Sequence, residues 1–595
     1  MGDDNRNFII AFGLIMLILL GYQVFVMGPA AEQRREELAA QAELEAAAVD
    51  PDLPIETRIA SGGLTIERPE ALAQAERISI DAPRVEGTIS LTGARFDDLR
   101  LRRHTTAVDS EELVSLLNPI GAENVLYARD GWQSVTQGIT DLPGGTTEWS
   151  VINGGTLTPD NPLVLGYDSP SGLSFERTIS INETYLFTIV DRVTNNSGAE
   201  IELQRYGLVR QEGLPETMAN NMAVFEGAIS VVEGKMVREN FSSLEDGASA
   251  EESGQGGWVG ITTRYWLAAA IPEIGSTFTA RFRTIERGEN DAFEASYVER
   301  AQVLSPGASL TSTGYIFAGA KELDILHYVE DEVGVDSFDM AYNWGWLWFL
   351  VRPFVWALHL LEGMLGNFGL AILALTLVIK IIMFPLANRA YASMARMKLV
   401  QPKMKEIRER YASDTQKQQQ AMMELYRNEK INPLAGCLPI LPQIPIFFAL
   451  YQTLFNALEM RHAPFYGWIQ DMSARDPLMI GNLFGLLDYD PLSIPILGFI
   501  LGLGLWPIIM GITMAAQQAL NPPPEDPMQA KIFAFLPIVF TFVLAPFAAG
   551  LVIYWAWNNF LSVLQQYVIM RRHGNETQLD KLIARLRNKA SEDKS

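Results

Sequence analysis

The chain is poor in the residues on which most enzymes and metal proteins depend. Its one cysteine, Cys437, cannot close an intrachain disulfide, and it excludes a four-cysteine zinc site or a C-x-x-C redox pair. Of five histidines, only His104 and His327 precede the apolar C-terminal part, and each reads as an ordinary surface or core histidine. No G-x-S-x-G elbow, phosphate-cradling glycine loop or H-E-x-x-H motif occurs. Catalysis, a cofactor and a metal site are therefore not expected. Positive charge is also scarce, with 46 Lys and Arg against 70 Asp and Glu, and DNA binding needs a positive footprint.

The acidity is confined to one stretch. Residues 28–343 hold 51 acidic and 23 basic side chains, whereas the remainder holds 19 and 23. An acidic polar body is thus joined to an apolar, slightly basic one, in line with a length of 595 residues that suggests more than one domain.

Long uncharged runs place much of the chain in a membrane. Phe8–Met27 is twenty residues without a charge, enough to cross about 30 Å of hydrocarbon. Asp3 and Asp4 ahead of it, and Pro29 with no A-x-A site behind it, favour an uncleaved anchor over a signal peptide. Further spans are expected at Asn367–Ala387, Leu438–Leu458, Ile494–Leu520, Ile532–Ala545 and Ala549–Met570, making six, five of them clustered. Trp344–Gly366 is crowded with tryptophan and broken by Arg352, Pro353, His359 and Glu362, so it reads as an interfacial amphipathic helix, with a transmembrane span as the alternative. The loop Asn388–Ile431 has ten basic and five acidic residues, and the tail after Met570 seven and four. Both belong on the cytoplasmic side, which puts both termini inside and the acidic body outside.

After an Ala- and Glu-rich linker (28–59), residues 60–335 alternate apolar and polar side chains in short runs such as RISIDAPRVEGTISLTGARFDDLRL and SFERTISINETYLFTIVDRVTN. Period-two alternation with Gly, Asn and Asp punctuation predicts an antiparallel β-sandwich. ITTRYWLAAAIPE (Ile261–Glu273) is its most apolar piece and is expected to be one central strand.

Lys380 is the most informative residue, thirteen positions beyond Asn367 and so about 20 Å along a helix that is otherwise apolar. A lipid-facing ammonium there costs several kcal/mol, unless its stem snorkels to the interface or the amine points into a wet cavity. Polar groups on other spans favour the cavity. Gln443, Gln517, Asn558 and Asn559 are among them, near Tyr554 and Trp555. Many Pro and Gly residues, Pro442, Pro445, Gly511 and Pro546 included, are expected to bend the spans apart. Arg389–Tyr411, with a break or kink at Pro402, and Thr415–Lys430 predict a cytoplasmic helical hairpin within 389–430. Its methionines (Met394, Met397, Met404, Met422, Met423) suit interhelical packing or an adaptable capture surface. A hydrated, positively charged groove lowers the cost of drawing an acidic or polar stretch partway into the bilayer. That is the work of an insertase; a secondary transporter or an assembly chaperone without insertion activity is the alternative.

The segments IIMFPL, YASMARMKLVQPKMKEIRERY, MMELYRNEKINPLAGCLPILPQIPIFFALY, APFYGWIQDMSARDP, DPMQAKIFAFLPIVF and GLVIYWAWNNFLSVLQQ closely resemble the YidC/Oxa1/Alb3 insertases in their long Gram-negative form. The resemblance is dense over 344–571 and looser over 60–330. It implies a polytopic α-helical membrane protein with a five-helix core (367–570), a periplasmic β-sandwich, and a basic cytoplasmic tail (571–595) in the bacterial inner membrane. It places the family's groove arginine at Lys380 and its aromatic groove position at Tyr554. Substrate contacts are expected from Thr376, Phe384, Gln443, Gln517, Tyr554, Trp555 and Asn558. Implied partners are nascent membrane proteins, membrane lipids, the Sec translocon, the ribosome and signal-recognition targeting components. Lysine here is a departure, since a point charge replaces a bidentate fork.

Overall fold

The structure is a computed structural model that describes residues 65–215, 224–285, 291–411, 414–429, 440–494, 497–521 and 527–572. The expected anchor Phe8–Met27, the linker 28–59, Cys437 and the tail from 573 lie outside the described residues. The chain divides into two compact units between Asn343 and Trp344.

The first unit is built from strands, as the alternation requires. Along Leu173–Ile181 the odd positions are buried and the even ones are not. A ten-stranded sheet runs Arg77–Asp81, Val85–Ser90, Arg95–Thr105, Leu126–Ser134, Ile201–Glu212, Ala292–Glu299, Thr277–Ile285, Ala250–Gln255, with Leu113–Leu117 and Gln302–Leu304 paired off that path. A nine-stranded sheet runs Lys235–Asn240, Gly227–Val232, Gly257–Thr262, Trp266–Ile271, Ser309–Ala320, Leu186–Asn195, Leu173–Ile181, Leu163–Asp168, Ser150–Asn153. Neighbouring strands pair antiparallel, for example from Ser309 opposite Thr194 to Phe317 opposite Leu186. The sheets stack face to face around Trp258, Phe187, Phe96 and Phe293, all buried. Across the two sheets, Phe96 meets Phe187 edge-on at 4.9 Å.

One expectation fails here. Ile261–Glu273 is a hairpin, because Thr263–Tyr265 turn between two strands: the Thr263 N–H donates to the Trp266 carbonyl at 3.0 Å. The Thr262 hydroxyl also reaches the carbonyls of Thr263 and Trp266.

The sandwich core also contains charge. Arg177 donates to both oxygens of Asp191 (2.7 and 2.6 Å) and to Asp130 (2.7 Å), while Arg205 donates to Asp130 at 2.9 Å. The Trp132 indole completes the shell of Asp191 at 2.7 Å. Arg177 and Asp191 belong to one sheet, Asp130 and Arg205 to the other, so the network pins sheet to sheet. Burial raises the Asp191 pKa, but Arg177 outweighs it and holds the carboxyl below its ordinary value.

The second unit is helical: α1 Trp348–Leu365, α2 Phe368–Arg410, α3 Thr415–Asn428, α4 Ile440–Asn456, α5 Gly498–Leu501, α6 Leu505–Leu520, α7 Pro527–Leu544 and α8 Ala549–Arg572. Among the described residues, two helical stretches are long and apolar enough to cross a membrane, Trp348–Leu365 and Phe368–Met397; Leu505–Leu520 and Ala530–Leu544 are shorter apolar helices. α8 packs against α2, α4 and α6, and α1 packs against α2 and α4. The Asn367 side chain caps α2 by accepting from the Leu370 N–H at 3.0 Å.

Three local expectations change. α2 continues for 43 residues through Pro385 and Pro402, so no break separates membrane helix from hairpin. The stretch Ile494–Leu520 is interrupted between α5 and α6, where Gly504 bridges to Met479 and the Asp476 carboxylate accepts from the Trp506 N–H at 2.6 Å. Asp476 also accepts from the Trp468 indole at 2.8 Å, so the loop before α5 folds onto the start of α6. At Gly511 the reason is close approach: a Cβ there would sit 2.0 Å from the Thr541 hydroxyl of α7.

Candidate functional site

Lys380 lies midway along the apolar part of α2, half-buried. Its amine is directed at α8, donating to the Ser562 hydroxyl at 2.8 Å. Ser562 is 2% exposed and donates its own proton to the Asn558 carbonyl at 2.8 Å, so it serves the amine purely as an acceptor. A second tie between the same helices runs from the Trp557 indole to the Leu373 carbonyl at 3.1 Å.

Ser562 is part of a polar stripe. Asn559, Ser562 and Gln566 recur at spacings of three and four, which puts them on one face of α8. All three are buried. Gln566 donates to Asn521 at 3.0 Å, yet its carbonyl oxygen and the Asn559 amide nitrogen are buried without a hydrogen-bond partner among the described residues. Buried amides are costly without partners, and these two leave room in the hydrogen-bonding of the stripe for water or a polar group of another chain.

The other expected residues divide into two groups. Tyr554 is buried at 1% exposure, and Trp555 beside it stacks on Phe447 of α4 with centroids 5.2 Å apart and planes 12° apart. Thr376, also buried, donates to its own Ile372 carbonyl at 2.7 Å, which occupies its hydroxyl within α2. Gln443, Gln517 and Asn558 are half-buried, and Phe384 is exposed. The structure thus brings Lys380 together with α8 around Asn558 and Ser562. Ser562 itself was missed, although its place between Asn559 and Gln566 was a legible signal.

In the hairpin, Met404 and Val400 are buried and Met397, Met422, Leu425 and Tyr426 pack on them, which joins α2 to α3. Met394 is buried as well, whereas Met423 is 66% exposed. Four of the five methionines are therefore at least partly covered, and Met423 alone turns outward.

On α1, Trp346 just before it and Trp356 within it are exposed, and Arg352 lies over the rings of Trp344 and Trp348 at 4.9 and 5.9 Å. His359 and Glu459 meet at 2.9 Å.

Fold and site together define a membrane protein that carries a separate antiparallel β-sandwich and a helical unit with an internal cation. A family model described as "YidC periplasmic domain" matches residues 77–357, and one described as "60Kd inner membrane protein" matches 360–576. The membrane protein insertase YidC of Maricaulis maris is 69% identical over 586 residues, covering 98% of this chain and 99% of its own. That of Methylorubrum extorquens is 45% identical, covering 97% of each chain. A crystal structure of an active YidC insertase with its first transmembrane domain resolved is 15% identical over 83% of this chain and 93% of its own, with a TM-score of 0.35. The chain belongs to the YidC family of membrane protein insertases. It is an inner membrane protein, and its sandwich is the periplasmic domain.

Proposed function

We propose that this chain moves nascent transmembrane segments, with short polar flanks, into the inner membrane through a hydrated groove between α2 and α8. The reading is supported above all by Lys380, whose amine is held by Ser562 within the otherwise apolar first part of α2. The unsatisfied amides of Asn559 and Gln566 on the same α8 face call for water there, and water keeps an ammonium charged at depth. An acidic or polar flank entering this space keeps hydration and gains Coulomb attraction, while its apolar neighbour leaves sideways into lipid. No bond is made or broken in this process.

In this proposal six helices cross the bilayer, with both termini cytoplasmic and α1 lying along the outer interface. Thr376, Phe384, Gln443, Gln517, Tyr554, Trp555 and Asn558 border the path. The hairpin of α2 and α3, with Met423 outward, meets incoming chains, and the Sec translocon, ribosome and targeting factors act as partners.

The test is photocrosslinking from positions 376, 380 and 554 to a stalled nascent chain. Adducts from these positions, with none from the lipid-facing Ile512, are expected. Labelling at Ile512 with none at the three groove positions would overturn the proposed path.

A further inference from the structure

The periplasmic domain carries a large excess of acid, yet one cavity in it of about 400 Å³ is walled by arginine. Arg77, Arg95, Arg129 and Arg210 line it together with Tyr127 and Thr146, and no Asp or Glu is among the described residues that do. They arrive from separate strands of the ten-stranded sheet, so the convergence is a product of the fold and not of a local basic run.

Their partners lie behind the cavity wall. Asp97, fully buried, is shared by Arg77 and Arg95, the latter at 2.7 Å. Glu294 is shared by Arg210 and Arg283, the latter donating through Nε at 2.7 Å. Glu212 acts on Arg210 as well. Arg129 makes no ion pair among the described residues, and its Nε is buried with no hydrogen-bond partner. Arg77 and Arg95 share one carboxylate and Arg210 shares another with Arg283, so the four cavity arginines carry more positive charge than their carboxylate partners offset.

The positions are fixed by packing. Arg95 and Arg210 lie over the Tyr127 ring at 5.6 and 5.9 Å, and Arg129 over Tyr206 at 5.8 Å. Gly145 leaves room for Arg129, since a Cβ there would fall 1.7 Å from its Nη1. A planar carboxylate engages one or two guanidinium forks, as Asp97 and Glu294 already do. A tetrahedral phosphate offers oxygens in more directions and accepts from several forks at once.

We propose that this four-arginine cavity binds the phosphate of a small phosphoester, with Arg129 as the principal donor and Arg77, Arg95 and Arg210 completing the cradle. The volume is more than a bare phosphate fills and suits a phosphate with a glycerol-sized substituent. That chemistry is shared by a phospholipid headgroup and a soluble phosphoester.

Full-length protein in phosphatidylcholine nanodiscs, titrated calorimetrically with glycerol 3-phosphate, should show saturable binding at one site. Arg129→Gln should weaken it about tenfold or more, the loss of one charge-assisted contact, and Gly145→Ala should weaken it with every charge retained. Arg192→Gln, on an exposed strand position elsewhere, should leave it unchanged. Competition on changing to phosphatidylglycerol nanodiscs assigns the site to lipid headgroups; undiminished binding assigns it to soluble phosphoesters. Either result supports a phosphate site. Absence of saturable binding, binding indifferent to Arg129→Gln in a folded variant, or displacement only by an acidic peptide would overturn it.

Discussion

Reversing the charge at Lys380 tests the insertion mechanism most directly. The amine already meets an oxygen of Ser562 at 2.8 Å, so a substrate carboxylate that takes this place brings the two charge centres to about 4 Å. At that separation the attraction is about 1 kcal/mol in bulk water and about 4 kcal/mol at an effective dielectric constant near 20. A wet groove lies between these limits; about 2 kcal/mol corresponds to roughly thirtyfold in partitioning. Lys380→Gln removes that attraction, and Lys380→Glu turns it into a repulsion of similar size, so the parent and the glutamate variant differ by about 4 kcal/mol, near a thousandfold. Proteoliposomes holding equal amounts of each variant can be given single-span substrates whose translocated flanks differ only in carrying no, one or two acidic residues. Protease protection should then show the glutamate variant failing in proportion to the number of acids, with the neutral substrate nearly unaffected. Lys380→Arg should preserve insertion, because the charge remains. Equal loss for neutral and acidic flanks, or normal insertion of the two-acid substrate by the glutamate variant, would refute the electrostatic argument.

Asp191→Ala should destabilise the periplasmic domain by about 3–5 kcal/mol, since it leaves the buried Arg177 and Arg205 guanidiniums to share Asp130 alone; a denaturant midpoint unchanged from the parent would remove the network's role in joining the sheets. Lys321 is buried and donates to the Thr262 hydroxyl and the Thr263 carbonyl, and burial lowers its pKa from 10.5 to about 7. Between those values the unfolded chain binds more protons than the folded one, so stability should rise with pH above about 7, by up to about 1.4 kcal/mol per unit, and be flat with respect to this group below it. Urea melts from pH 6 to 9 should lose that slope in Lys321→Met, and a slope common to both proteins would assign it elsewhere. Met404→Ala should loosen the α2–α3 hairpin by about 2–4 kcal/mol, whereas Met423→Ala should leave its stability alone and affect only substrate crosslinking. Hydrogen exchange across 398–428 distinguishes the two, and equal protection in both variants would contradict the packing assigned to Met404.

What could be read from the sequence was whatever has a period. The alternation in Leu173–Ile181 and Leu186–Asn195 survives as buried and exposed faces of paired strands. Ile261–Glu273 misled because apolar residues flank a turn made by Thr263, Arg264 and Tyr265, and hydropathy does not register a hydroxyl that satisfies the turn's carbonyls. The interruption between α5 and α6 was hidden for a different reason. It depends on Asp476, some thirty residues before the Trp506 amide that it accepts from, and no local pattern reports such a distant acceptor. Pro402 does not break α2: a proline costs a helix one hydrogen bond, but a bundle of neighbours can hold the turn that a lone peptide would not. Charged residues far apart in the chain form the ion network at Asp130 and Asp191 and the arginine cavity, because strand pairing gathers them.

The candidate site was legible as chemistry but not as geometry, and the difference bears on the lysine itself. An isolated cation in an apolar helix demands either a route to the interface or a polar lining, and the sequence supplied both options. The amine's reach across to the Ser562 hydroxyl on α8, rather than along α2 toward a headgroup, supports the polar lining on which the proposed groove rests. The partner is a neutral hydroxyl and not a carboxylate, so the amine is positioned without being neutralised. An arginine would offer a planar fork that favours one approach of an acidic group; an ammonium rotates, and one of its three donors goes to Ser562. On the proposed mechanism this makes the groove less exacting about the depth and orientation of the acid it receives. That tolerance suits a protein handling many different nascent segments, and on this proposal it follows from lysine standing where the family resemblance implies an arginine.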